Sequence, residues 1–144
     1  MTRISAFWDA SALVPLCIRQ PLTGRVSSLL KTYEAVVWWA APVEIASALA
    51  RLLRIQQITV DEWNEATSFA RRLAKLWLAV QPADGVLTRA VHLVDLYDLR
   101  AADCFQLAAA LDWCEDVPKG RIFLSADRRL RDAALLCGFD CPGL

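Results

Sequence analysis

The chain has 144 residues, 56% of them hydrophobic, which is the size of one domain able to bury most of its apolar surface. Its 16 basic residues balance 16 acidic ones, so the formal net charge is zero and no global positive field draws in nucleic acid. Apolar segments recur throughout without a linker, low-complexity tail or internal repeat, which indicates a single domain spanning residues 1–144.

In chain order, ISAFW (4–8) reads as a short buried strand that ends at the polar DAS. Segments 11–18 and 22–33 read as helices separated by Pro21. AVVWW (35–39) is a second strand, and Pro42 fits the first turn of the helix that follows. Thr59 and Glu62 make a capping box for a long helix from 60 to about 77. Its apolar stripe is Trp63, Ala66, Phe69, Ala70, Leu73 and Leu76 or Trp77. Beyond a break at QPADG, helices are expected from about 85 to 97 and from about 101 to 115. RIFLS (121–125) is a strand, ADRRLRDAALLC a helix, Gly138 its C-cap and FDC (139–141) a last short strand. Strands separated by helices imply an α/β fold with a small parallel sheet of four or five strands flanked by helices.

Several chemistries drop out. The five cysteines form no CxxC pair and His92 is the only histidine, so zinc lacks its ligand spacing, and buried free thiols in a reducing cytosol are expected. His92 lies mid-helix in AVHLVDL, and GxSxG, GxGxxG and P-loop patterns are missing, which excludes nucleophile–histidine, dinucleotide and NTP sites. The opening MTRISAFWDAS lacks the apolar core of a signal peptide, and the uncharged runs are too short to span a bilayer. A soluble cytoplasmic chain without a membrane partner is the expectation.

Four acids occupy related positions. Asp9 ends the first strand, Glu44 lies in the first turn after the second, Asp103 in the first turn of the helix that begins near 101, and Asp127 opens the helix after RIFLS. In an α/β sheet, strand carboxyl ends and the following helix N-termini share one edge, where the ligand crevice lies. Asp103 fits least well, having no recognisable strand before it. Two readings compete for these residues. As helix caps, each contributes about 0.3–1 kcal/mol through orphan N–H groups and the helix dipole. As a cluster, they repel one another unless a cation sits among them, and hard oxygen donors favour Mg²⁺ or Mn²⁺. Capping explains Glu44 and Asp127 well and Asp9 poorly, and it does not account for four such acids with no lysine among them. A metal site that hydrolyses phosphodiesters is the favoured reading.

Three segments carry a family resemblance. FWDASALVPL, VEIASALARL, and LRAADCFQLAAAL followed by IFLSADRRLRDAA resemble the successive motifs of PIN-domain nucleases, closest to the VapC-type toxins of bacterial toxin–antitoxin pairs. The resemblance runs from about residue 4 to 141. It implies a PIN-like fold, a Mg²⁺- or Mn²⁺-dependent endoribonuclease, a homodimer and a cognate antitoxin. The family's acidic set falls on Asp9, Glu44, Asp103 and Asp127, and its accessory hydroxyls on Ser11 and Ser125, the latter where threonine is common. On this pattern Asp9 and Asp103 are the principal metal ligands, while Glu44 and Asp127 complete the shell and orient the attacking water. Ser11 either bonds Asp9 or a metal-bound water, or is a helix N-cap. Arg128, Arg129 and Arg131 either contact RNA phosphates or form a solvated helix face. Trp38 and Trp39 are assigned to the core. Trp63 and Trp77 are core residues or part of a groove for a dimer mate or antitoxin.

Two alternatives remain. A receiver- or phosphatase-like domain would want a second carboxylate where Ser11 stands and a lysine after RIFLS, whereas Lys119 precedes it. A catalytically weak binding module would keep the fold and hold a partner or RNA without cutting.

Overall fold

The computed structural model describes residues 3–144. These residues form β1 (Ile4–Trp8), α1 (Ala10–Cys17), α2 (Thr23–Thr32), β2 (Tyr33–Trp38), α3 (Ala41–Arg54), α4 (Val60–Ala74), β3 (Leu78–Val80), α5 (Asp84–Leu96), α6 (Ala101–Trp113), β4 (Ile122–Leu124) and α7 (Arg128–Cys137). The sheet is wholly parallel, in the order β3-β2-β1-β4.

β1 is apolar throughout its buried half because helices cover both of its faces. Phe7 packs with Val36, Trp38 and Phe123 against α5, α6 and α7. Its neighbours Ala6 and Trp8 point the other way and pack with Val37 and Leu124 against α1 to α4. The result is a three-layer sandwich. From β1 the chain crosses to β2 and β3 on one side and places its last strand, β4, on the other, so the strand order reverses beside β1. A reversal of this kind opens a crevice at the carboxyl ends of the strands.

Local signals are realised where they are strong. Thr59 Oγ1 accepts from the Glu62 N–H at 3.1 Å while the Thr59 N–H donates to Glu62 Oε1 at 3.0 Å, completing the capping box of α4. Gly138 ends α7 at φ 110°, a backbone that L side chains rarely adopt.

Four expectations need correction. The long helix stops at Ala74, not near 77, because the chain turns at Leu76 and enters β3, an edge strand that pairs with Val36–Trp38. Of the expected stripe, Ala66 and Leu73 are buried, but Phe69 is 38% exposed and Leu76 83%. Trp38 stacks on Phe105 with ring centroids 5.6 Å apart, whereas Trp39 lies beyond the end of β2 and is 53% exposed. FDC forms no strand; only Asp140 makes a bridge, to Ile122.

Trp77 lines an apolar groove of about 330 Å³ between α3 and α4, while the Trp63 indole nitrogen is buried. All five cysteines are free thiols; Cys104 and Cys114 are buried and the other three half-buried. Burial pushes the Cys17 and Cys141 thiols up to about 11, so both are protonated near neutral pH. No helix among the described residues is long and apolar enough to cross a membrane.

Candidate active site

Asp9 is the first residue past β1, and its N–H continues the ladder by donating to the Leu124 carbonyl at 3.0 Å. It occupies the N-cap of α1, but its side chain caps no N–H of that helix. It is instead 3% exposed, with two serines turned toward it. Ser125, just past β4, donates to Asp9 Oδ2 at 2.7 Å. Ser11, in the first turn of α1, donates to the same oxygen. Each serine is itself oriented by the backbone: the Ala126 N–H donates to Ser11 Oγ at 2.9 Å and the Asp127 N–H to Ser125 Oγ at 3.0 Å. Ser11 is therefore a partner of Asp9 and not the N-cap. Burial raises the pKa of Asp9, the serine hydrogen bonds oppose that rise, and the nearby Asp127 charge adds to it.

Glu44 is delivered by the first turn of α3, whose start Pro42 favours through its fixed φ. Gln106, on α6, donates its Nε2 amide to Glu44 Oε2 at 2.5 Å. Burial pushes the Glu44 carboxyl up to about 7, against the pull of Gln106 and with further push from Asp9 and Asp103. Asp103 lies in the first turn of α6, which the chain reaches from α5 through a short loop with no strand between. Its carboxyl is pushed up to about 6 by burial and then by Asp127 and Asp9, with Arg100 opposing. Asp127 is the N-cap of α7, its Oδ1 accepting from the Leu130 N–H at 3.0 Å. The capping interpretation is correct for that oxygen, and the same residue still bears on the charges of Asp9 and Asp103.

Glu44, Asp103 and Asp127 line one cleft of about 580 Å³, with Arg100, Arg128 and Arg129 along it. The two α7 arginines are 88% and 77% exposed at their side chains, free to reach a ligand. Arg131 does not line this cleft; it is half-buried and its charge acts on Cys141. His92 is exposed on α5. The donors along the cleft are thus carboxylate oxygens, a set that could hold a hard divalent cation and is poorly suited to zinc. Among the described residues no three His, Cys, Asp or Glu side chains are gathered tightly enough to hold an ion unaided. Mg²⁺ is commonly bound through one or two carboxylates with water filling its shell, so this looser arrangement fits it.

Two further residues bear on the cleft acids, Gln106 through Glu44 and Arg100 through Asp103. Gln106 is the one polar side chain in the run CFQLAAAL, three residues after Asp103 and hence on the same side of the helix. That spacing is the one signal the sequence offers for it. Arg100 is the N-cap of α6, one helical turn before Asp103, so its place beside that carboxyl is set locally by the helix.

No protein-family model matches the chain, and no curated protein matches it. Its architecture belongs to the PIN-like class, a four-stranded parallel sheet between helices. Crystal structures that share it include the following two. PAE2754 from Pyrobaculum aerophilum aligns with a TM-score of 0.63 at 20% identity, over 96% of this chain and 89% of that one. FitAcB from Neisseria gonorrhoeae aligns with a TM-score of 0.63 at 16% identity, over 94% and 96%. At such identities the likeness is one of fold.

Proposed function

We propose that the protein is a Mg²⁺- or Mn²⁺-dependent endoribonuclease, the toxin of a toxin–antitoxin pair. The observation that carries this reading is the convergence of Asp9, Glu44, Asp103 and Asp127, from four separate segments, on one edge of the sheet. Among the described residues none of the four is ion-paired, and burial and mutual repulsion raise three of their pKa values. Such a cluster opposes folding unless a cation relieves it. The PIN-like fold and the motif resemblance supply the reaction class.

Asp9 and Asp103 would hold the ion, directly or through water, with Glu44 and Asp127 completing the shell. When bound, the ion supplies charge neutralisation at the phosphoryl oxygens and lowers the pKa of water. Ser11 and Ser125 keep Asp9 in one rotamer, so the ligand is organised before substrate arrives. Glu44 and Asp127 orient the attacking water. Arg100, Arg128 and Arg129 neutralise RNA phosphates entering the cleft, which a chain of zero net charge must do locally. The apolar groove between α3 and α4 supports docking of an antitoxin helix, and the exposed Leu87, Val91 and Val94 stripe of α5 supports a homodimer.

Induced expression in a host without the antitoxin tests the proposal. Wild type is expected to arrest growth and fragment RNA, and soluble Asp103→Asn to do neither. Growth arrest that persists in Asp103→Asn would instead favour a binding module.

A further inference from the structure

The polar side chain that the proposed chemistry leaves unused is Gln106. It is 0% exposed, inside the buried run Gln106–Ala110 of α6, between Phe105 and Leu107. A buried amide costs free energy that an apolar side chain of the same size would not, so core packing alone does not call for glutamine there. Its Nε2 is committed to Glu44 Oε2 across 62 residues of sequence, and its Oε1 is buried without a partner among the described residues. Glu44 needs such a hold. It projects from α3 on a chain with three rotatable bonds, and Val43 beside it is 70% exposed, so solvent lies within its reach. Asp9, by contrast, is held by two serines, and Asp127 by a backbone N–H.

Resting on the metal-dependent reading above, we infer that Gln106 is a positioning residue: it holds the Glu44 carboxylate turned into the acidic cleft, where it can serve a divalent cation. Asp103 and Gln106 stand one helical turn apart on α6, so a single rigid helix delivers one carboxylate and orients another carried by α3.

The test is Mn²⁺ binding by the metal-free protein, followed by electron paramagnetic resonance of free Mn²⁺, with thermal unfolding recorded on the same samples. Gln106→Met fills the same space without polar atoms, so its melting temperature should equal or exceed that of wild type. Its Mn²⁺ affinity should fall about tenfold, the size of effect that residues orienting a metal ligand produce. In a Glu44→Ala background the same substitution should change affinity no further, because the residue it positions is gone. Gln106→Asn, which keeps the amide but withdraws it from Glu44, should behave like Gln106→Met and guards against a packing artefact in either variant. Equal Mn²⁺ affinity in wild type and Gln106→Met would overturn the inference while leaving the metal site standing. So would a full further loss in the Glu44→Ala background. Absence of Mn²⁺ binding by wild type would overturn the metal-site reading itself, and this inference with it.

Discussion

Ser125 donates its hydroxyl to Asp9 Oδ2 across 2.7 Å, tying the carboxyl ends of the neighbouring strands β4 and β1 through a buried carboxylate. Ser11 donates to that same oxygen from α1. Ser125→Ala removes a hydrogen bond to the buried Asp9 carboxyl and leaves it less well satisfied. A loss of about 1–3 kcal/mol is expected at neutral pH, read as a lower urea midpoint with unchanged slope. An unchanged midpoint would mean that Asp9 does not depend on Ser125.

The acidic cluster sets a pH dependence of the metal-free protein. Glu44 is raised from 4.5 to about 7 and Asp103 from 3.8 to about 6. Between the unfolded and folded values the native state holds protons that the unfolded chain has released, so stability falls as pH rises through this window. In EDTA the melting temperature should therefore decline from about pH 4 toward pH 7 on account of these two groups. Mg²⁺ should raise it more at about pH 7.5 than at about pH 5, where protons compete for the same oxygens. A Mg²⁺ effect that is equal at both values would separate ion binding from these carboxylates.

At the end of α4, Leu73 and the nearby Leu76 differ sharply in environment, at 6% and 83% exposed. Leu73→Ala should cost about 2–5 kcal/mol, through reduced burial and the cavity it leaves. Leu76→Ala should stay within about 0.5 kcal/mol of wild type. Denaturant titration of the pair checks where the helix gives way to β3.

That boundary also marks what could be read in the sequence. The capping box at Thr59 and Glu62, Pro42 at the start of α3, and Gly138 at the end of α7 act within one helical turn, so their signals are local and legible. β1 is legible because helices cover both its faces and every residue from Ala6 to Trp8 must be apolar. β3 is not: Leu78, Ala79 and Val80 continue the apolar content of α4, and only pairing with Val36–Trp38 makes them a strand. Trp39 misleads for a related reason, since two adjacent tryptophans look equally suited to a core until the end of β2 turns one of them out. At the cleft, Asp9 stands out because capping explains it poorly, and its hydrogen bonds go to serines instead. Asp103 is harder to place, because its approach to Asp127 depends on how α6 packs against the sheet and not on a preceding strand. Gln106 is legible only as a polar exception in a buried helix, and its partner lies on another helix altogether.

The exposed arginines of α7 bear on RNA binding. Arg128 and Arg129 form only long ion pairs, 4.0 Å to Asp132 and 3.7 Å to Asp98, so replacing both by alanine should leave stability within about 0.5 kcal/mol of wild type. If they neutralise phosphates, the double variant should bind RNA more weakly and with a shallower salt dependence. The slope should fall by about 0.7 for each phosphate of a single strand that is no longer neutralised. A filter-binding titration across salt concentrations, using Asp103→Asn to prevent cleavage, measures both quantities. An unchanged slope would assign these arginines to a solvated helix face.

Metal-dependent hydrolysis of RNA at the acidic cleft is tested most directly by a single assay. Purified protein, free of any partner, is incubated with total cellular RNA in Mg²⁺, in Mn²⁺ or in EDTA, beside folded Asp103→Asn. Discrete fragments that require the divalent ion and vanish in the variant are the expected result. Fragments that persist in EDTA, or that Asp103→Asn still produces, would contradict it.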